Sequence, residues 1–217
     1  MDTSAVPTWA VVVPVKRADV AKSRLSGALE PWRTGLARAF AADTIAAVLA
    51  SGRVEEVIVV TDLGSATASG FVDGGSVRLV DDPSRGQDMN VAVAAGLDVA
   101  ATRARVAVVA ADLPALRTAE LDAALAAAGA HPYAVVGDVE RVGTTLLGAV
   151  WPARVRPAYG GASFARHRAD GAVGLEGEQW PTLRRDVDVL AHVEQVRALG
   201  PGPRTTVVLQ QIDAQIA

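Results

Sequence analysis

The 217-residue sequence contains no cysteine. Disulfides, thiolate metal sites, iron–sulfur clusters and cysteine nucleophiles are therefore excluded, and any metal must be held by oxygen or imidazole. A basic surplus is also missing. The 21 Lys plus Arg against 24 Asp plus Glu leave a net charge of −3, which argues against general affinity for a nucleic-acid backbone. Long apolar runs are absent: the stretch ending at Val15 is too short for a signal core or a membrane span, and Asp2 puts an acid ahead of it. The expected location is the cytoplasm. Aromatics make up only 4% of the chain, and no GxxxxGK[ST] or GxGxxG glycine loop is present, so any phosphate must be held largely by side chains.

What remains is a composition that can build a core. Half the residues are hydrophobic and 21% are charged, which fits one globular unit, expected over residues 1–217. Trp9 to Val15 (WAVVVPV) reads as a buried parallel strand. A helix is expected over Thr34–Leu49, strands over Glu56–Thr61 and Ser76–Val80, a helix over Met89–Ala101 and a strand over Arg105–Ala111. Further on, a helix is expected over Thr118–Ala128, strands over Tyr133–Val136 and Thr144–Val150, short helices over Ser163–Ala169 and up to Leu199, and a last strand over Thr205–Leu209. Alternation of this kind predicts an α/β fold: a three-layer αβα, Rossmann-like unit with a mainly parallel sheet and helices on both faces.

In such sheets ligands sit beyond the carboxyl ends of the strands, and polar clusters follow three of those ends. Lys16, Lys22 and Arg24 lie on the loop after the first strand and make a positive patch of polyphosphate size; the plainer reading is a solvated basic loop. A second cluster, Asp82 to Asn90, follows the third strand. Asp112 ends the fourth, where an uncompensated carboxylate is costly unless water, an N–H group or a cation reaches it. Asp186 and Asp188, spaced i and i+2, point the same way on an extended segment and could join Asp112 in an all-oxygen Mg²⁺ site. Taken alone, Asp112 also suits a cap of the turn before the next helix, and Asp186 or Asp188 a cap of the helix that follows them. Gly143-Thr144-Thr145 and Tyr159-Gly160-Gly161-Ala162-Ser163 permit close backbone approach to an anion, or are ordinary loop glycines and an N-cap serine. His167 has no Ser-His-Asp spacing and is discounted as a general base, and His131 and His192 read as surface positions.

Taken in order, Pro14-Val15-Lys16, Ala21-Lys22-Ser23-Arg24-Leu25, Asp112-Leu113-Pro114, Gly143-Thr144-Thr145, Gly160-x-x-Ser163-Phe164-x-x-His167 and Asp186-x-Asp188 resemble the guanylyltransferases of coenzyme F-420 biosynthesis. That family acts on 2-phospho-L-lactate or phosphoenolpyruvate and has a nucleotidyltransferase domain of the molybdenum-cofactor guanylyltransferase type. The resemblance implies GTP as substrate, Mg²⁺ as cofactor, pyrophosphate release and a guanosine diphospho-acid product. Residue by residue, it implies metal binding by Asp112, Asp186 and Asp188, acceptor binding by Thr145, Gly160 and Ser163, and triphosphate contacts from Lys16, Lys22 and Arg24 as the catalytic cations. Asn90 is expected near the nucleotide, although Gln87-Asp88-Met89-Asn90 departs from the commoner Gly-Leu-Asn form, and Thr145 stands where many relatives carry Asn. The expected partners are GTP, a small phosphorylated carboxylic acid and a downstream pathway transferase that takes a labile product; neither nucleic acid nor membrane is expected. The alternatives are a nucleotidyltransferase with another phosphorylated acceptor, against which the absence of an LAGGxSxRMG-like loop counts, and a noncatalytic nucleotide-binding regulator.

Overall fold

The computed structural model describes residues 7–16, 27–63 and 77–216. Among the described residues, seven strands form one sheet: β1 (Trp9–Val15), β2 (Val54–Thr61), β3 (Val77–Asp81), β4 (Arg105–Val109), β5 (Tyr133–Gly137), β6 (Thr144–Val150) and β7 (Val173–Gly174). Their order is β3-β2-β1-β4-β6-β5-β7. β1 pairs in parallel with β2 and β4, and β2 with β3, whereas β6 runs antiparallel to both β4 and β5. The mainly parallel α/β sheet expected from the alternation is present, with one strand reversed.

The β-branched run of β1 is buried along its whole length, and alternation splits it between two cores. Trp9, Val11, Val13 and Val15 face α1 (Arg33–Leu49) and α3 (Thr118–Ala128) through Ile45, Val48, Leu121 and Leu125. Ala10 and Val12 face α2 (Met89–Val99) through Ala92 and Val93. Helices thus cover both faces. Gly148 on β6 leaves room for the fully buried Trp9 ring, which a Cβ there would meet at 3.2 Å.

The remaining elements are a 3-10 turn (Gly27–Trp32), α4 (Ser163–Ala169), α5 (Pro181–Arg184), α6 (Leu190–Leu199) and α7 (Pro203–Ile216). Leu36 and Phe40, on the outer side of α1, meet Val187, Val193, Val196, Leu209 and Ile212, so α6 and α7 make a further layer over α1.

The strand expected over Thr205–Leu209 is part of α7. Its β-branched composition suggests a strand, but Thr205, Leu209 and Ile212 are the buried positions, a helical spacing. Pro203 opens the helix without needing its missing N–H, and the carboxylate of the buried Asp43 on α1 accepts from the Arg204 and Thr205 amides at 3.1 and 2.8 Å. Tertiary capping and burial overrule local propensity here. β4 ends at Val109 rather than Ala111, and α2 at Val99 rather than Ala101.

Candidate active site

The chain crosses from β3 on one side of β1 to β4 on the other, so the strand order reverses between β1 and β4. Crevices form at such switch points. Pairing of β1 with β4 covers only Ala10 to Val12, while pairing with β2 continues to Val15. Pro14, which has no N–H to offer, sits where the two strands have parted. Between them opens a pocket of about 220 Å³ lined by Pro14, Val15, Lys16, Met89, Asp112 and Asp188 among others.

Two hydrogen bonds place Asp112. The Ala110 amide donates to the Thr145 carbonyl at 2.9 Å, and the Leu113 amide donates to Thr44 Oγ1 of α1 at 3.0 Å. The fully buried Leu113 side chain anchors the turn. Asp186 and Asp188 arrive from the far end of the chain. The Val187 amide donates to the Asp112 carbonyl at 3.2 Å, and the Val187 side chain is wholly buried against Leu36 and Phe40. With Val187 directed into the core, its two neighbours project the other way. One carboxylate oxygen from each of Asp112, Asp186 and Asp188 lies within 4.8 Å of the others.

Two buried arginines hold this strap from upstream. Arg184 donates to the carbonyls of Gly137, Asp138 and Val139. Arg185 makes a two-pronged contact with Glu140 at 2.8 and 3.2 Å. Burial is the largest single influence on Glu140 and works against its charged form, but the Arg185 hydrogen bonds, a backbone hydrogen bond and the Arg185 charge together outweigh it and hold the carboxyl below its ordinary value. In a second acidic group, Asp138, Glu140 and Asp186, the Glu140 carboxylate is engaged by Arg185. Asp138 accepts from the Val142 and Gly143 amides and so shapes the β5–β6 turn.

Because β6 is reversed, its first residues reach the same edge as the carboxyl ends of its neighbours: Leu146 pairs with Val109, and Thr144 with Gly137. Thr145 is 2% exposed, with its hydroxyl 3.5 Å from the Val136 carbonyl. Ser163 is buried and donates to Thr144 Oγ1 at 3.2 Å. Gly160 is exposed at φ +119°, and Ala162 at φ 56° precedes α4. Backbone in this left-handed region is uncommon outside glycine and clusters where a site constrains the chain.

Asn90 lies in the first turn of α2, whose N-cap Asp88 accepts from the Asn90 amide at 2.8 Å. Its side chain grips the backbone of Tyr159, accepting from the amide at 2.7 Å and donating to the carbonyl at 3.2 Å. Sequence reasoning places Asn90 by the nucleotide; the structure joins it to the loop that leads to Gly160. Lys16 stands exposed on the pocket wall. Lys22 and Arg24 lie outside the described residues.

Sequence reasoning missed the roles of Arg184, Arg185 and Thr44. A buried arginine is rare enough to mark a paired or structural role, but its partners 45 or more residues away are not readable from spacing. His167, discounted as a base, is fully buried, with a hydrogen bond at each ring nitrogen. His131 and His192 are part-buried rather than fully exposed, and His192 Nδ1 accepts from the Asp188 amide at 3.2 Å.

The fold is that of nucleotidyltransferases. It superposes on a structure from Desulfovibrio desulfuricans G20 assigned to the nucleotide-diphospho-sugar transferases (TM-score 0.71, 15% identity, 96% of each chain). It also superposes on a nucleotidyl transferase from Methanothermobacter thermautotroptrophicus (TM-score 0.59, 16% identity, 88% of this chain and 96% of the other). Sequence narrows the class. The family model described as "Guanylyl transferase CofC like" matches residues 9–189, and the chain belongs to that family. Among its relatives are the phosphoenolpyruvate guanylyltransferases of Thermomonospora curvata (45% identity over 95% of this chain and 91% of the relative) and Salinispora arenicola (46% identity, 92% of each). Among the described residues, no helix is long and apolar enough to cross a membrane.

Proposed function

We propose that the protein transfers GMP from GTP to phosphoenolpyruvate, releasing pyrophosphate and forming a guanosine diphospho-acid of coenzyme F-420 biosynthesis, with 2-phospho-L-lactate as the other candidate acceptor. The observation that carries this reading is the convergence of Asp112, Asp186 and Asp188 beside Lys16 in the β1–β4 crevice, in a chain whose relatives are named for that reaction.

The donor set fits Mg²⁺. Asp112, Asp186 and Asp188 offer three carboxylate oxygens within 4.8 Å of one another, the all-oxygen kind of donor set that Mg²⁺ takes. When bound, Mg²⁺ would neutralise phosphate charge and orient the reacting groups.

The chain's own residues do the rest. A phosphomonoester has a second pKa near 6, so the acceptor is largely a dianion at neutral pH and needs no general base. One of its oxygens attacks the α-phosphorus, the new P–O bond forms, and the bond to the β-phosphate bridging oxygen breaks with the electron pair leaving on pyrophosphate. Lys16, joined by Lys22 and Arg24, offsets the triphosphate charge. The first turn of α2, at Met89, borders the pocket and adds the positive end of a helix. Thr145, Gly160 and Ser163 hold the acceptor. The resulting phosphoanhydride is reactive, which suits a downstream transferase as its taker.

The test is to incubate the protein with GTP, Mg²⁺ and either acid, coupled to a transferase that consumes the product, and to record pyrophosphate and product mass. Product with one acid identifies the acceptor. Pyrophosphate from neither would remove this reading and move weight to another phosphorylated acceptor. Asp112→Asn should abolish turnover with an unchanged circular dichroism spectrum, and normal turnover by that variant would remove the metal assignment.

A further inference from the structure

The segment entering Gly160 is fastened to an unusual degree. The Ala158 amide donates to His167 Nε2 at 2.9 Å, and the Ala158 carbonyl accepts from Arg166 Nε at 3.0 Å. Both backbone groups of the next residue, Tyr159, are held by the Asn90 amide. Four successive main-chain polar groups are thus engaged by three side chains from two helices, α2 and α4. The Tyr159 ring also meets the His167 ring edge to face, with centroids 5.0 Å apart.

His167 joins this segment to Ser163. Because Nε2 accepts from a backbone N–H, the ring is the neutral tautomer that carries its proton on Nδ1. Nδ1 then donates to Thr144 Oγ1 at 3.0 Å, and the same oxygen accepts from Ser163 Oγ at 3.2 Å. One imidazole therefore fixes the distance between the turn at Ala158 and the paired hydroxyls of Thr144 and Ser163. His167 itself is fully buried.

We propose that His167 is a positioning residue for the phosphorylated acceptor, setting the Ala158–Gly160 turn against the Ser163 and Thr144 hydroxyls so that the acceptor's phosphate meets a preformed cradle. The proposal rests on the reading that Gly160 and Ser163 hold the acceptor. His167 touches neither substrate nor metal in this role; it acts through Ala158 and Thr144.

Two substitutions separate its two hydrogen bonds. In His167→Gln the side-chain oxygen can take the place of Nε2 and accept from Ala158. In His167→Asn the amide reaches only as far as Nδ1, so the Thr144 bond survives and the Ala158 bond is lost. The expected result is an acceptor KM raised about tenfold in the Asn variant, with the GTP KM unchanged and a smaller acceptor KM rise in the Gln variant, which keeps the Ala158 bond and loses the Thr144 bond. Hydrogen exchange of a peptide covering residues 156–162 is measured alongside, with and without phosphoenolpyruvate. Faster exchange in the Asn variant alone is expected, together with protection by phosphoenolpyruvate in the parent protein. Equal acceptor KM in all three proteins, or KM values for both substrates rising together, overturns the proposal. If the parent binds phosphoenolpyruvate with protection of this peptide but forms no product, the transferase reading fails and the cradle stands. Absence of both product and protection overturns the two together.

Discussion

A histidine wholly enclosed by protein is a group whose charge the fold opposes. Burial, with the nearby Arg166, moves the His167 pKa from its ordinary 6.5 down to about 4, and the carboxylate of Asp170 opposes this only in part. The sign of the linkage follows. Between about pH 6.5 and 4 the unfolded chain binds a proton that the folded chain refuses, so this residue's contribution is present above 6.5 and is lost as pH falls toward 4, by at most about 1.4 kcal/mol per pH unit. Urea midpoints across that window should fall more steeply for the parent than for His167→Gln; parallel curves would show that the imidazole does not titrate as its surroundings require. Ser163→Ala, which deletes the hydroxyl donated to Thr144, should raise the KM for the acceptor several-fold and leave that for GTP alone, and an effect confined to GTP would contradict the placement of that loop. The residue types at these positions were legible from sequence. Asp186 and Asp188 announce a shared direction by their spacing. His167 does not reveal that both its nitrogens are engaged, because its partners Thr144 and Ala158 are 23 and 9 residues away.

Among the elements, the strongly periodic ones were the legible ones. WAVVVPV declares a buried strand, and β1 spans that run; α3, β6 and α4 likewise begin and end where the pattern does. Strand direction is another matter. Composition does not distinguish a reversed buried strand from a parallel one, and the short β5–β6 connection between Gly137 and Thr144 was the available signal. α7 is the element whose state depends most on a distant residue. Asp43→Ala leaves two amides in its first turn unpaired in a place that Gly202 packs against closely. A loss of about 2 kcal/mol is expected, with Asp43→Asn losing less because one acceptor oxygen remains. Thermal unfolding measures both, and an Ala variant as stable as the parent would show that α7 does not need this cap. Neither α5 nor β7 carries enough residues to leave a pattern.

At the scale of the molecule, the two faces of the sheet are not covered alike. One face carries α1 and α3, with α6 and α7 outside α1; the other carries α2, which approaches closely at Gly96. A Cβ there would stand 2.5 Å from Val12 Cγ1 and 2.8 Å from Val60 Cγ2. Sequence makes this glycine look like a weak point in a helix, and the structure makes it the contact that lets α2 lie against β1 and β2. Gly96→Ala gains about 1 kcal/mol of helix propensity and meets overpacking of about 1–3 kcal/mol. A net loss of about 1 kcal/mol is expected by urea denaturation, and a more stable variant would mean that α2 can lift from the sheet without cost.

The strap at Val187 has a further consequence for how the protein comes into being. A ribosome has delivered every strand of the sheet once Gly174 has emerged, yet only Asp112 of the three clustered acids exists by then. Asp186 and Asp188 follow, and the hydrophobic seat that aims them is closed only when Val193, Val196, Leu209 and Ile212 have been made. The carboxylate cluster is therefore among the last features a nascent chain completes, and a chain cut short after the last strand carries Asp112 without the two acids that meet it.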